Sequence, residues 1–276
     1  MIRRIMKYIL TLTLLVSFSA AFTGCLKDEE ITQANTSKAI EDYISENNIA
    51  ATTTASGLSY VITEPGSSRR VKDESTIKVS ITVRTTDNTL VVNTNGLTFL
   101  NLANQIEGLK EGLEYIGEGG KITLYIPYEL AWGVNGNGSI PPLADVIVQV
   151  NIDDILLYVE DYIKENNFTI TDSTTTKVRI LIEEEGDGEF PMQTSIVDVS
   201  YKGYFTNGEE FDSNDEGIRF GLANVIQGWR EGIPKFSRGA KGKLFIPWEV
   251  GYGVDGSSAI PPRTDLVFDI ELNDWE

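Results

Sequence analysis

The chain has no histidine, a single cysteine and few cations. Its 276 residues hold 23 Lys plus Arg against 41 Asp plus Glu, a formal net charge of −18. Without histidine there is no Ser-His-Asp or Cys-His arrangement and no imidazole-ligated metal site. Cys25 alone can form no internal disulfide, no CxxC pair and no thiolate cluster. Net negative charge opposes a phosphate backbone, so nucleic acid is excluded as a principal partner. The rest is ordinary for a folded protein, with 41% apolar and 23% charged residues. The length suits two domains better than one. No cofactor and no metal are expected, and the chemistry left is what apolar surface, hydroxyls, amides and carboxylates do unaided.

Residues 1–24 read as a targeting segment. Arg3, Arg4 and Lys7 precede an uncharged, mostly apolar stretch over residues 9–22, and small residues stand before Cys25. The stretch is short for a membrane span, which needs about 20 apolar residues. Phe22-Thr23-Gly24-Cys25 resembles the lipobox of bacterial lipoproteins, with Phe22 where Leu is usual. That resemblance implies cleavage before Cys25 and lipidation of Cys25. The alternative is a plain secretory signal with an incidental cysteine. Loss of the three leader cations leaves 20 positive and 41 negative side chains, a formal −21. Such a chain is held at an anionic membrane by lipid rather than by basic charge. Residues 25–36 are expected to form a flexible tether. Within them, Leu26-Lys27-Asp28-Glu29-Glu30 resembles the signal that sends some Gram-negative lipoproteins to the cell surface. A solvated linker is the alternative. The expected location is the cell envelope, lipid-anchored, at the outer membrane on its periplasmic or surface face.

The remainder repeats. Displaced by 120 residues, Leu102-Ala103-Asn104 falls on Leu222-Ala223-Asn224, and Ile140-Pro141-Pro142 on Ile260-Pro261-Pro262. Between Leu102 and Pro142, 19 of 41 positions are identical without a gap. A period this long marks a duplicated domain rather than a solenoid unit, and the expected division is residues 37–156 and 157–276. Each copy begins with a short amphipathic helix (37–48 and 156–166), with Ser37 available as a cap and Asn-Asn at the exit. Period-two alternation marks strands, clearest at Val197, Val199 and Tyr201 and again at Leu266, Phe268, Ile270 and Leu272. Asn207-Gly208 predicts a two-residue hairpin. One helix interrupts each run of strands, with Ile226, Trp229 and Ile233, or Ile106, Leu109, Leu113 and Ile116, on one face. Strands around a single short helix imply an α+β domain with a curled antiparallel sheet.

The second copy carries Tyr201-Lys202-Gly203, then Glu210-Phe211-Asp212-Ser213 and Val225-Ile226-Gln227-Gly228-Trp229. It continues with Leu244-Phe245-Ile246-Pro247, Gly251-Tyr252-Gly253, Ala259-Ile260-Pro261-Pro262 and Leu266-Val267-Phe268-Asp269. In this order and spacing the strings resemble the FKBP-type peptidyl-prolyl cis-trans isomerases over nearly all of residues 180–275. The resemblance implies two tandem half-barrels, each closing on its helix, and an enzyme acting on proline-containing polypeptides. It also implies that Tyr201, Phe211, Val225, Ile226, Trp229, Tyr252, Ile260 and Phe268 line an apolar pocket with Trp229 as its floor. Tyr252 O–H and Ile226 N–H would hold substrate carbonyls, and Asp212 would stand at the rim. Two departures touch the pocket wall: residues 220–225 are about two short of the family's usual length, and Ile218 stands where an aromatic is common.

Each aromatic alone could be plain core, and Asp212 could merely cap a turn; the joint match favours the pocket. Residues 212–217 mimic the start of a calcium loop, but Ala223 occupies the twelfth position, where a bidentate Glu is required. At the positions of Tyr201, Phe211, Asp212, Trp229, Tyr252 and Phe268 the first copy has Ile81, Val91, Val92, Leu109, Trp132 and Val148. The expectation is a folded, inactive first module and a catalytic second one. The rival reading is a pair of modules that bind peptide or an envelope protein without turnover.

Overall fold

A computed structural model of the chain describes residues 39–276 apart from Asp73 and Asn95. The leader, the tether, Cys25 and Ser37 lie outside the described residues. The first copy comprises α1 (Ile40–Glu46), β1 (Thr52–Thr53), β2 (Ser59–Glu64), β3 (Thr76–Thr85), β4 (Leu90–Asn93), β5 (Thr98–Asn101), α2 (Glu107–Leu113), β6 (Lys121–Ile126) and β7 (Val146–Ile155). The second comprises α3 (Val159–Glu165), β8 (Asp172–Ser173), β9 (Arg179–Glu184), β10 (Ile196–Tyr204), β11 (Glu210–Gly221), α4 (Gln227–Gly232), β12 (Lys241–Ile246) and β13 (Leu266–Trp275).

Both sheets are antiparallel throughout and run in the same order, β1-β2-β6-β7-β3-β4 and β8-β9-β12-β13-β10-β11. The first copy divides its last strand into β4 and β5, both on β3. The duplication extends to register: Val83 faces Val92 as Gly203 faces Asp212, and Leu124 faces Val148 as Leu244 faces Phe268. The architecture is thus the tandem α+β arrangement expected from the repeat.

Alternation along β13 explains how one strand serves two layers. Leu266, Phe268, Ile270 and Leu272 enter the core beneath α4, whereas Val267 on the opposite face packs with Val159, Ile163, Tyr204 and Phe245 under α3. In the first copy, Tyr125 and Ile147 likewise carry Ile40 of α1 on the outer face. Every sheet is therefore covered on both sides, one helix within its curl and one outside.

The outer helices are shorter than expected, and among the described residues no side chain at their own N-caps closes their first turns. The Ile40 N–H donates to Asp145 Oδ2 and the Val159 N–H to Asp265 Oδ2, each at 2.7 Å, across more than a hundred residues. The other oxygens accept from the Tyr128 and Trp248 N–H groups at 2.8 Å. At the exits the Asn-Asn reading holds: Asn48 and Asn167 turn the chain at φ +50° and +56°. The hairpin at Asn207-Gly208 is longer than predicted. Gly208 N–H donates to Phe205 C=O, and Phe205 N–H to Glu209 C=O, so the loop is a type I turn closed by Gly208 at φ +86°. Asn-Gly occurs in both loop classes, which is why the dipeptide misleads here.

Asp265 is buried, and that burial outweighs the two N–H donors that favour its charged form, pushing its carboxyl up to about 7 from 3.8. Folding therefore favours the protonated acid. Its stabilising contribution is full below about 3.8 and is lost as pH rises through about 7. With no histidine to titrate in that window, the melting temperature should fall between pH 5 and 8 more steeply in the native chain than in Asp265→Asn. Parallel pH profiles would refute the assignment. Asp265→Ala, which strands two N–H donors, should cost about 3 kcal/mol in denaturant unfolding.

Candidate functional site

The concave face of the second sheet is lined by rings because its strands and α4 deliver one each. Tyr201 comes from β10, Phe211 from β11, Phe268 from β13 and Trp229 from α4. Trp229 stands edge-on to Phe268 (5.1 Å between centroids, 85°) and to Tyr201 (5.1 Å, 86°). Phe211 meets Phe268 at 5.5 Å and 88°, and Phe220 closes on Trp229 at 5.4 Å. Perpendicular packing sets the positive edge of one ring against the negative face of the next, worth about 0.5–1.5 kcal/mol a pair beyond burial. The result is a rigid box rather than a collapsed core.

Gly203 makes the box possible. A Cβ there would lie 2.7 Å from both Phe211 Cε2 and Phe268 Cε1. A glycine inside a strand is a signal for such close approach, and it is the cavity-shaping position that the reading by side-chain chemistry passed over.

All nine positions singled out from the sequence surround one cavity of about 580 Å³: Tyr201, Phe211, Asp212, Val225, Ile226, Trp229, Tyr252, Ile260 and Phe268. Ile218, Phe220, Asn224, Ser257 and Ala259 complete its wall. Trp229 and Phe268 are buried, while Tyr252 stands at the mouth with 40% of its surface exposed.

Polar groups are few: the Trp229 indole N–H is buried without a partner among the described residues, and others stand at the rim. Tyr201 O–H donates to Asp212 Oδ2 at 2.7 Å. Burial first, then this hydrogen bond, holds the Tyr201 hydroxyl well above the ordinary tyrosine range. Burial and the nearby Asp212 likewise raise Tyr252. Both hydroxyls therefore remain donors at neutral pH. The Ile226 N–H precedes the first turn of α4 and meets no acceptor among the described residues. Such a site can take an apolar group into its depth and hydrogen-bond carbonyls at its mouth. Among the described residues no cluster of three or more metal-ligating side chains occurs.

The first copy has the same frame with a mostly aliphatic interior. Shared register places Val83 where Gly203 stands, and Val83 is buried. Leu109 and Val148 are buried in its core, and Ile81, Val91, Ile106 and Trp132 pack against them. Val92, opposite Val83, provides no carboxylate.

The sequence model of the family described as FKBP-type peptidyl-prolyl cis-trans isomerase matches the chain over residues 67–153 and again over 187–273. The FKBP-type peptidyl-prolyl cis-trans isomerase FkpA of Escherichia coli (strain K12) is 40% identical over 120 residues, 42% of this chain and 43% of that protein. FK506-binding protein 1 of Debaryomyces hansenii is 46% identical over 105 residues, 36% of this chain and 92% of that one. Of solved structures, E. coli FkpA aligns with 42% of this chain and 57% of its own at 30% identity and a TM-score of 0.40. The three FKBP domains of wheat FKBP73 align with 80% and 96% at 19% identity and the same TM-score, 0.40. The chain thus spans less than half the length of its FkpA relative. Two matches to one family model together occupy more than half of the sequence, and the chain belongs to the FKBP-type peptidyl-prolyl cis-trans isomerase family.

Proposed function

We propose that residues 157–276 catalyse cis–trans isomerisation of X–Pro bonds in polypeptides outside the cytoplasm, and that residues 37–156 form a folded, inactive relative. The observation that carries this reading is the contrast between a cavity lined by aromatic rings in one copy and a mostly aliphatic interior in the other. The isomerisation barrier, about 18–20 kcal/mol, is amide resonance. A planar amide is charge-separated and a twisted one much less so. The apolar walls formed by Trp229, Phe268, Phe211 and Ile260 therefore favour the twisted form over the planar one, which is differential binding of the transition state. Tyr252 O–H and Ile226 N–H hold the flanking carbonyls and keep the prolyl ring over Trp229. Tyr201 is committed to Asp212, so its ring is fixed as wall. No proton is transferred and none needs to be, consistent with a chain that has no histidine.

The leader-like residues 1–24 and Cys25 support a cell-envelope location for this activity. Cleavage before Cys25 and its multiple acylation would supply a stable anchor where a single chain would not, with residues 25–36 as the tether. The expected face is the outer membrane.

Catalysis of a proline-limited refolding reaction by the chain lacking residues 1–25 tests the assignment. Trp229→Ala and Phe268→Ala should each lower kcat/KM by at least about tenfold, the scale on which apolar pocket contacts discriminate. Leu109→Ala in the first copy should leave the rate unchanged. An active chain indifferent to both second-copy changes would overturn the pocket assignment, and a folded chain that binds prolyl peptides without turnover would make it a binding module.

Gly203→Ala should displace Phe211 or Phe268, cost about 1–3 kcal/mol of stability through overpacking and reduce turnover in a protein that still folds. Native turnover in that variant would show that the close approach at Gly203 is dispensable.

For the anchor, Cys25→Ser should release the chain from sedimenting membranes. Retention of the variant in the membrane fraction would count against lipidation.

A further inference from the structure

Phe99 lies in the first copy but packs against the core of the second. It sits on β5 beside Leu100, which faces its own core, so alternation turns the Phe99 ring outward. There it meets Phe205 edge-on (5.3 Å, 65°), and Phe205 is buried against Phe211 at 5.0 Å. Phe211 in turn abuts Phe268, which abuts Trp229. An unbroken series of ring contacts thus leads from the first domain to the cavity floor.

The same surface grips the second domain twice more. Lys78, opposite Phe99 in the sheet, lies over its ring and places Nζ 2.6 Å from Glu209 Oε2 on the hairpin that leads into Phe211 and Asp212. Thr76 Oγ1 donates to Pro262 C=O at 3.1 Å, at the end of the loop carrying Ile260, and Asn101 Nδ2 fixes that hydroxyl at 2.9 Å. One wall of the cavity and the loop across from it are both held by one face of the first sheet.

The second copy shows that these residues are not needed for the fold. Thr76, Lys78 and Phe99 correspond by register to Ile196, Asp198 and Arg219. Ile196 and Arg219 are exposed there, and Arg219 pairs only with Glu276 among the described ion pairs. Only the first copy turns an aromatic ring outward at this place.

We propose that the first domain is a positioning element for the second domain's site: Phe99, through Phe205, sets the Phe211–Asp212 wall, while Thr76 sets the Pro262 loop. This rests on the isomerase reading above, and Phe99 is a positioning residue, since it is not among the residues that line the cavity.

The test uses the chain lacking residues 1–25, with proline-limited refolding and the Trp229 indole N–H resonance read in parallel. Phe99→Ala should lower kcat by about three- to tenfold, the scale of sub-ångström misplacement, with KM less affected, and should shift the Trp229 resonance. Phe99→Tyr, which keeps the ring, should restore both. Arg219→Ala at the corresponding place in the second copy should change neither. Thr76→Val should lower turnover as well, and if Phe99→Ala does not fold, Phe99→Leu and Thr76→Val decide in its place. Native turnover with an unmoved Trp229 resonance in folded Phe99 and Thr76 variants would overturn the inference while Trp229→Ala still abolished activity. If the native chain has no activity at all, the isomerase reading fails instead, and the resonance alone decides whether Phe99 sets the cavity.

Discussion

A missing β-carbon shapes this molecule's cavity. At Gly203 the β10 backbone lies bare, and the edges of Phe211 and Phe268 close over it within the radius that a methyl group would need. Those two rings fix Trp229 and Tyr201, and Tyr201 fixes Asp212. The first copy has Val83 at this position, with aliphatic residues where the second has Tyr201, Phe211, Trp229 and Phe268, and a ring, Trp132, only where it has Tyr252. Backbone registers agree between the copies, so the difference is one of filling and not of frame. Open box and packed core are alternative solutions for the same curled sheet.

The frame depends on buried polarity as well as on apolar packing. Asp145 and Asp265 each bridge an outer helix to a turn near the end of the sheet. They replace local caps that the helix sequences lack, with Ala39 and Tyr158 at the positions where Ser, Thr, Asn or Asp would usually stand. A carboxyl in that setting closes two donors at once, which no amide or hydroxyl could do by accepting through two separate oxygens.

Much of this was legible in the sequence, for reasons that differ by element. The duplication was legible because side chains at matching positions occupy matching registers. Trp229, Phe268 and Tyr201 were legible because they fall on faces set by helical and strand periodicity and recur in the family's motifs. Gly203 was quoted within a motif and assigned no role, since a residue without a side chain offers no chemistry to reason from. The distant caps were hidden because proximity in the chain is the only proximity that a sequence displays, and Asp265 lies 106 residues from Val159. Phe99 was missed for the opposite reason. Alternation assigns it to an outer face, and nothing local says that this face is covered by another copy of the same fold.

The paired arrangement of outer helix and acidic socket has a consequence for assembly of the chain. Each socket offers one carboxylate and an apolar seat, and the chain contains two helices able to dock in it. During folding α1 and α3 are therefore rivals. Discrimination falls to the seats. Ile40 enters beside Tyr125 and Ile147, whereas Val159 and Ile163 enter among Tyr204, Phe245 and Val267. The smaller leading residue is matched to the seat with more rings, and Arg179, whose register counterpart in the first seat is Ser59, pairs with Glu160. Divergence between the duplicated domains thus reaches beyond the cavity: unlike seats favour each helix on its own sheet over exchange between neighbouring chains.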